Sequence, residues 1–182
     1  MKDRILEVIF ELIQEKGIKK LTLDDISRKL KISKKTLYKY FKSKDDMLIE
    51  YIDSYIQFEK EGTLRIYENK DGIIEKIFEI INARYKFFIP MRIIEELKVL
   101  YPKEWLKIEE LKEFKLELIT NLISKGISQG IFKEQINYIV LKKLLVNISN
   151  ESDDPDYLIE NDLTFKTFIK ESLNIIFEGI KK

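Results

Sequence analysis

The chain contains no cysteine and no histidine, and only three prolines and six glycines among its 182 residues. Without thiols or imidazoles it cannot form a disulfide, a thiolate nucleophile, a histidine general base or the usual zinc ligand sets. The di-iron sites of helical bundles use Glu-x-x-His pairs, which are excluded too. We therefore predict a protein that is not an enzyme, with no catalytic residues, no metal and no cofactor.

Long hydrophobic runs are also missing. No stretch approaches the ~20 apolar residues that a membrane-spanning helix needs. Near the start, Glu7 and Glu11 interrupt the apolar residues, which is unlike a signal peptide. We expect a cytoplasmic protein that does not interact with a membrane.

Charge is distributed unevenly along the chain, although the net charge is only +1. Residues 1–50 carry 13 basic and nine acidic side chains, whereas residues 51–182 carry 20 and 23. Between Ser27 and Lys44 there are eight basic residues and no acidic one. A one-signed patch of this kind is typical of a surface that binds a phosphate backbone.

The few helix-breaking residues favour an all-α fold of about nine helices, because short connections then suffice. A first helix is expected to end at Gly17. Thr22, with Asp25 three residues on, is a good N-cap for a second helix, and Ser33 caps a very short third one. Two helices around a three- to four-residue turn form a helix-turn-helix, whose second helix enters the DNA major groove.

Several side chains of this segment can contact DNA. Lysines reach phosphates or guanine edges, a threonine can meet a phosphate or a thymine methyl, and tyrosine hydroxyls reach phosphates. The candidates are Lys34, Lys35, Thr36, Tyr38, Lys39, Tyr40 and Lys44. The alternative is a solvated lysine face on an ordinary helical bundle.

The same segment resembles the N-terminal domain of the TetR family of transcriptional regulators. The resemblance rests on Gly17, Thr22, Asp25-Ile26-Ser27, Lys31-Ile32-Ser33 and Thr36-Leu37-Tyr38-Lys39-Tyr40-Phe41-Lys42-Ser43-Lys44, and it covers residues 1–50. It implies a three-helix DNA-binding domain in residues 1–46 and a helical ligand-binding and dimerisation domain in residues 47–182.

By this resemblance Thr22 and Lys44 would lie on phosphates, and the recognition surface would extend from Ser33 to Tyr40. Two positions depart from the pattern. Lys31 stands where Gly is common, and a left-handed backbone there would cost roughly 1 kcal/mol. Leu23 replaces a second small polar residue, which would remove one phosphate contact.

Cations interrupt apolar helix faces in the second half. Arg84 falls within the apolar arc predicted for residues 73–89, and Lys112 and Lys115 interrupt that of residues 103–125. They suggest an amphipathic ligand, with Phe88 and Trp105 as further candidates for its site. Alternatively, the cations reach solvent or pair with acidic residues, namely Glu95, Glu96, Glu109 or Glu110.

The last two predicted helices, about 133–150 and 162–181, are rich in apolar residues. A helix that is apolar almost all round must be covered on more than one side. We expect a homodimer through Leu141, Leu144, Leu145, Phe165, Phe168, Ile169 and Ile176, with burial inside the monomer as the competing account. The resulting expectation is a dimeric repressor that a small apolar or amphipathic effector molecule releases from a palindromic double-stranded DNA operator. The alternative is a ligand-independent DNA-binding or protein-interaction protein with a filled core.

Overall fold

A computed structural model describes residues 1–69, 71–82, 91–151 and 155–182 of the chain. For residues 91, 92, 149–151, 155, 156 and 165 it describes the backbone only. Ten helices lie in these ranges: α1 Lys2–Lys16, α2 Leu23–Leu30, α3 Lys34–Leu37, α4 Lys44–Asn69, α5 Ile73–Asn82, α6 Met91–Leu100, α7 Pro102–Ser128, α8 Tyr138–Glu151, α9 Pro155–Glu160 and α10 Phe165–Ile180. The predicted all-α fold is confirmed.

The chain divides into two compact units, and the division runs through α4 and α7. The first unit contains α1, α2, α3 and the part of α4 up to Phe58, together with α6 and the start of α7 up to Glu110. Its buried core draws on every one of these helices, including Ile9 of α1, Ile26 of α2, Leu37 of α3, Met47 of α4 and Leu97 of α6.

The second unit contains the rest of α4 and α7 with α5, α8, α9 and α10. Its core is a cluster in which α5 packs against α10, and α10 against α8. Phe132 is fully buried and stacks on Phe177, with ring centroids 6.1 Å apart. Gly126 makes this possible, because a Cβ there would lie 2.4 Å from the Phe132 ring.

Two predictions for the C-terminal helices were wrong in detail. The penultimate long helix begins at Tyr138 and not near 133, because Phe132 forms an antiparallel bridge with Lys181 and the Asn137 side chain accepts hydrogen bonds from the first backbone N–H groups of the helix. The short helix α9 was not predicted. The predicted continuation of α5 to residue 89 lies largely outside the described residues.

In the part of the chain that the structure describes, no helix combines the length and apolar character needed to span a membrane.

Candidate nucleic-acid interface

Thr22 and Asp25 cap α2 reciprocally, as the sequence predicts. The Asp25 backbone N–H donates to the Thr22 hydroxyl oxygen at 3.2 Å, and the Thr22 backbone N–H donates to the Asp25 carboxylate at 3.1 Å. The Thr22 hydroxyl in turn donates to the same carboxylate at 2.5 Å. Both residues are thereby fixed at the start of α2, and Thr22 remains exposed. Its hydroxyl proton must turn away from Asp25 before it can meet a phosphate.

An ion pair with Lys16 holds Asp25 in its charged form. The side-chain hydrogen bond from Lys16, followed by that from Thr22, lowers the pKa of Asp25 from 3.8 to about 2. A carboxylate near the N-terminus of α2 also complements the helix dipole. Asp25 therefore keeps the charge that the cap uses at pH values where an ordinary aspartate would be protonated.

The turn between α2 and α3 contains the left-handed residue predicted at Lys31, with φ 58° and ψ 41°. The backbone N–H of Ile32 donates to the Ser27 carbonyl at 3.0 Å and closes the turn. Ser33 then caps α3, where its hydroxyl oxygen accepts from the Thr36 N–H at 3.1 Å. The geometry is that of a helix-turn-helix with a tight turn.

Leu37 and Phe41 pack this segment into the core of the first unit, since their side chains are 0% and 3% exposed. The opposite face presents cations and phenol rings to solvent. Tyr38 and Tyr40 are 52% and 43% exposed, and Lys34, Lys35 and Lys39 are exposed as well. The predicted recognition side chains therefore share one surface, with Ser33 exposed and Thr36 half-buried at its start.

Two of the predicted DNA contacts already have protein partners. The Lys34 ammonium pairs with Asp24 at 2.8 Å. The Lys44 ammonium donates to the carbonyl oxygen of Ile18 at 3.2 Å. A predicted contact of Lys34 with DNA would have to compete with Asp24, whereas Lys44 could keep its carbonyl partner and still offer two N–H donors to a phosphate.

The predicted ligand residues that the structure describes are divided between the two units. Arg84 and Phe88 lie outside the described residues. Trp105 is half-buried in the first unit with the Lys98 ammonium 4.7 Å from its ring centroid, whereas Lys112 and Lys115 lie on the part of α7 that belongs to the second unit. The first unit also encloses an apolar cavity of about 20 Å³, lined in part by Leu48, Ile52, Ile93 and Leu97. That volume is close to the space that one water molecule needs.

Lys115 forms a buried ion pair that sequence analysis missed. Its ammonium donates to the carboxylate of Glu59 on α4, and the two side chains are only 13% and 3% exposed. Thr63, one turn further along α4, is fully buried, and its hydroxyl has no hydrogen-bond partner in the described structure. Glu59 and Thr63 follow the buried Ile52 and Ile56 at helical spacing. Polar residues on that stripe were the signal that could have revealed them.

The predicted dimer residues separate into two groups. Leu141, Leu145 and Ile169 are buried within the second unit, at 4%, 5% and 1% exposure. Leu144 is 45% exposed, and Phe168 and Ile176 are partly buried. The Phe165 side chain lies outside the described residues. Further apolar side chains stand in solvent on the same helices, namely Ile139, Val140 and Ile175 at 82%, 52% and 75% exposure.

These features together define a helix-turn-helix DNA-binding protein. Residues 5–51 match the family model of the bacterial regulatory proteins of the tetR family. The HTH-type transcriptional regulator YvaF of Bacillus subtilis is 26% identical over 183 residues, which cover 99% of this chain and 95% of that protein. The resemblance to the TetR family of DNA-binding transcriptional regulators that was found in the sequence is confirmed by this match of residues 5–51.

Solved structures share the whole fold. A transcriptional regulator from Saccharomonospora viridis in complex with choline superposes with a TM-score of 0.81 at 18% identity, covering 100% of this chain and 97% of that chain. FadR from Bacillus subtilis in complex with stearoyl-CoA gives a TM-score of 0.69 at 19% identity, covering 99% and 100%. These likenesses concern the fold of both units.

Proposed function

We propose that this regulator is a dimeric repressor that leaves a palindromic operator when a small amphipathic ligand binds. The observation that carries the DNA-binding part is the exposed set of Lys34, Lys35, Tyr38, Lys39 and Tyr40, which lie on α3 and on the turn that follows it, next to the buried Leu37. Cations and phenols on one short rigid element suit phosphates and base edges in a major groove.

Fluorescence anisotropy with duplexes from the region upstream of the protein's own gene tests this part. Lys34→Ala and Tyr38→Ala should each weaken specific binding, by roughly tenfold for a contact worth 1–2 kcal/mol. Lys125→Ala is the control, because Lys125 is an exposed lysine of α7 in the second unit. Equal affinities for all four proteins would refute the recognition surface.

The exposed apolar side chains of α8 and α10 support the dimer. Ile139, Val140 and Leu144 lie close together on α8, and Ile175 is exposed on α10, which packs against α8; a second copy would cover these apolar side chains. Ile139→Glu combined with Leu144→Glu should give a monomer in light scattering, with weaker operator binding because two half-sites need two recognition helices. A dimer that survives this double substitution would place the interface elsewhere.

The buried Glu59–Lys115 pair and the Thr63 hydroxyl support an effector site in the second unit. They place two charges and one unused hydrogen-bonding group among apolar side chains, which suits an apolar ligand body with one polar group. Choline and stearoyl-CoA, the ligands of the two structural neighbours, differ greatly in size and charge. The side chains of this chain must therefore select its ligand.

Titration of the operator complex with acyl compounds and with quaternary ammonium compounds distinguishes the ligand classes. An effector should release the DNA, because it favours a state in which the two recognition helices no longer match successive grooves. Lys115→Met should impair release by an anionic effector most strongly, and Glu59→Gln release by a cationic one. If no compound of either class releases DNA while thermal unfolding is also unchanged, the ligand-independent regulator with a filled core is the better account.

A further inference from the structure

The carboxylate of Glu96 on α6 binds the loop that joins α1 to α2. One of its oxygens, Oε2, accepts the backbone N–H of Ile18 at 2.5 Å and that of Lys19 at 3.1 Å. Glu96 follows the loop by more than 70 residues, yet both belong to the first unit. Hydrogen bonds to an ionised acceptor are the stronger kind, so this contact fixes the loop backbone.

Gly17 is shaped for the contact. Its φ is 85°, a backbone angle that residues other than glycine rarely adopt. A Cβ at this position would lie 2.9 Å from both carboxylate oxygens of Glu96. A side chain at residue 17 would therefore strain the backbone and push Glu96 away at the same time. The close approach of the carboxylate therefore requires glycine for two reasons, the positive φ and the missing Cβ.

Ile18 connects this contact to the DNA-facing residues. Its side chain is 3% exposed, and its carbonyl oxygen accepts hydrogen bonds from the Leu21 N–H at 3.3 Å and from the Lys44 ammonium at 3.2 Å. Leu21 is itself buried and directly precedes Thr22. Ile18 thus donates its N–H to Glu96 and accepts a hydrogen bond from Lys44 at its C=O. Three residues later the chain reaches Leu21, directly before the N-cap of α2.

We propose that Glu96 is a positioning residue for DNA binding, which places Thr22 and Lys44 for their phosphate contacts without touching DNA. The proposal rests on the phosphate roles of Thr22 and Lys44. It makes a prediction opposite in sign to simple electrostatics. Removing a negative charge from a DNA-binding unit should strengthen its binding to a polyanion. Removing the Glu96 hydrogen bonds should instead weaken binding, because Thr22 and Lys44 are then no longer held in position for their phosphate contacts.

The matched control is Glu95, the neighbouring carboxylate on α6, which is exposed. Glu96→Ala and Glu95→Ala remove the same charge from adjacent positions. We expect Glu96→Ala to weaken operator binding roughly tenfold, the effect of about one charge-assisted hydrogen bond, and Glu95→Ala to leave it equal or tighter. The slope of log K against log salt should fall by about 0.9 for each phosphate that the Glu96→Ala protein no longer neutralises.

Glu96→Gln separates position from charge. The amide oxygen of glutamine can accept both N–H groups, so this variant should restore most of the affinity although it lacks the charge. Hydrogen exchange of the Ile18 and Lys19 amides reports the contact directly, and should accelerate in Glu96→Ala but not in Glu95→Ala. If Glu96→Ala does not fold, Gly17→Ala perturbs the same contact from the loop side and should weaken binding in the same manner.

The outcomes are distinguishable. Thr22→Ala and Lys44→Ala must each weaken binding, and if neither does, the phosphate contacts and with them the role of Glu96 are refuted. If they weaken binding but Glu96→Ala tightens it as Glu95→Ala does, Glu96 is only a surface charge and the positioning role is wrong. A Glu96→Ala protein with lower thermal stability, unchanged affinity and an unchanged salt slope would reduce Glu96 to a structural residue.

Discussion

Replacing Lys115 by methionine should destabilise the second unit far more than a surface lysine replacement does. The change keeps an unbranched side chain of similar length but removes the cation beside Glu59, whose side chain is 3% exposed. Breaking a buried ion pair by removing one partner costs about 3–5 kcal/mol, because the remaining charge is left in an apolar environment. We expect about 3 kcal/mol, the lower end, since Lys115 is 13% exposed and water can approach from its side.

The double variant Glu59→Met/Lys115→Met tests the reasoning. Once both charges are gone, no carboxylate remains uncompensated, and the free energy of unfolding should return to within ~1 kcal/mol of the wild type or exceed it. With the single variant Glu59→Met, these proteins complete a double-mutant cycle, and the coupling energy between the two sites should equal the sum of the two single losses to within ~1 kcal/mol. Lys142→Met is the control. Its partner Glu113 lies 3.3 Å away, but the two side chains are 53% and 70% exposed, so the loss should stay below ~1 kcal/mol.

Urea unfolding followed by circular dichroism measures these differences at one fixed protein concentration, because stability depends on concentration if the protein is a dimer. In a thermal melt the loss in Lys115→Met corresponds to a shift of about 6–12 °C. The reasoning is refuted if Lys115→Met costs no more than Lys142→Met. It is also refuted if the double variant loses the sum of the two single losses, because the pair would then not act as a unit.

Three further predictions concern the DNA-binding unit. Asp24→Asn should tighten binding and steepen the salt slope by up to about 0.9, because Lys34 no longer has to leave its 2.8 Å partner; an unchanged slope in anisotropy titrations would show that Lys34 does not reach a phosphate. Lys31→Gly should stabilise the fold by about 1 kcal/mol, because glycine adopts φ 58° without strain, whereas Lys31→Ala should give no gain in the same urea titration. Stability should fall as the pH drops from 3.8 towards 2, since the lowered pKa of Asp25 means that its charged form contributes to stability above this window and is lost within it. Asp25→Asn should flatten the pH profile there, and parallel profiles would contradict the cap.

Local signals explain why the DNA-binding unit could be predicted closely from the sequence. The caps at Thr22 and Ser33 and the left-handed turn at Lys31 depend on residues within a few positions of one another, so the sequence alone determines them. The end of α1 at Lys16, directly before Gly17, agrees with the prediction for the same reason. The hydrogen bonds that form these caps and helix ends join residues only a few positions apart in the sequence.

Non-local contacts explain what the sequence did not reveal. The start of α8 shifts because Phe132 bridges to Lys181, a backbone pairing across almost 50 residues that competes with a helix for the same groups. The cation that pairs with Glu59 lies on another helix, and the N–H groups that donate to Glu96 lie in a loop more than 70 residues earlier. The spacing of residues within one helix indicates the face on which a side chain lies, but it does not indicate which residue from elsewhere in the chain contacts that face.

The packing of α5 against α10 has a consequence for the order in which the protein forms during synthesis. Ile77 and Leu173 belong to one buried cluster, so this core cannot close until the last 16-residue helix has been made. Every residue of the first unit has been made once Glu110 has been added. At ~5–20 residues per second the 67 residues from Leu111 to Phe177, the last buried residue of this cluster, take about 3–13 s. A nascent chain therefore has time to form a DNA-binding unit before it can form the unit that we propose regulates it.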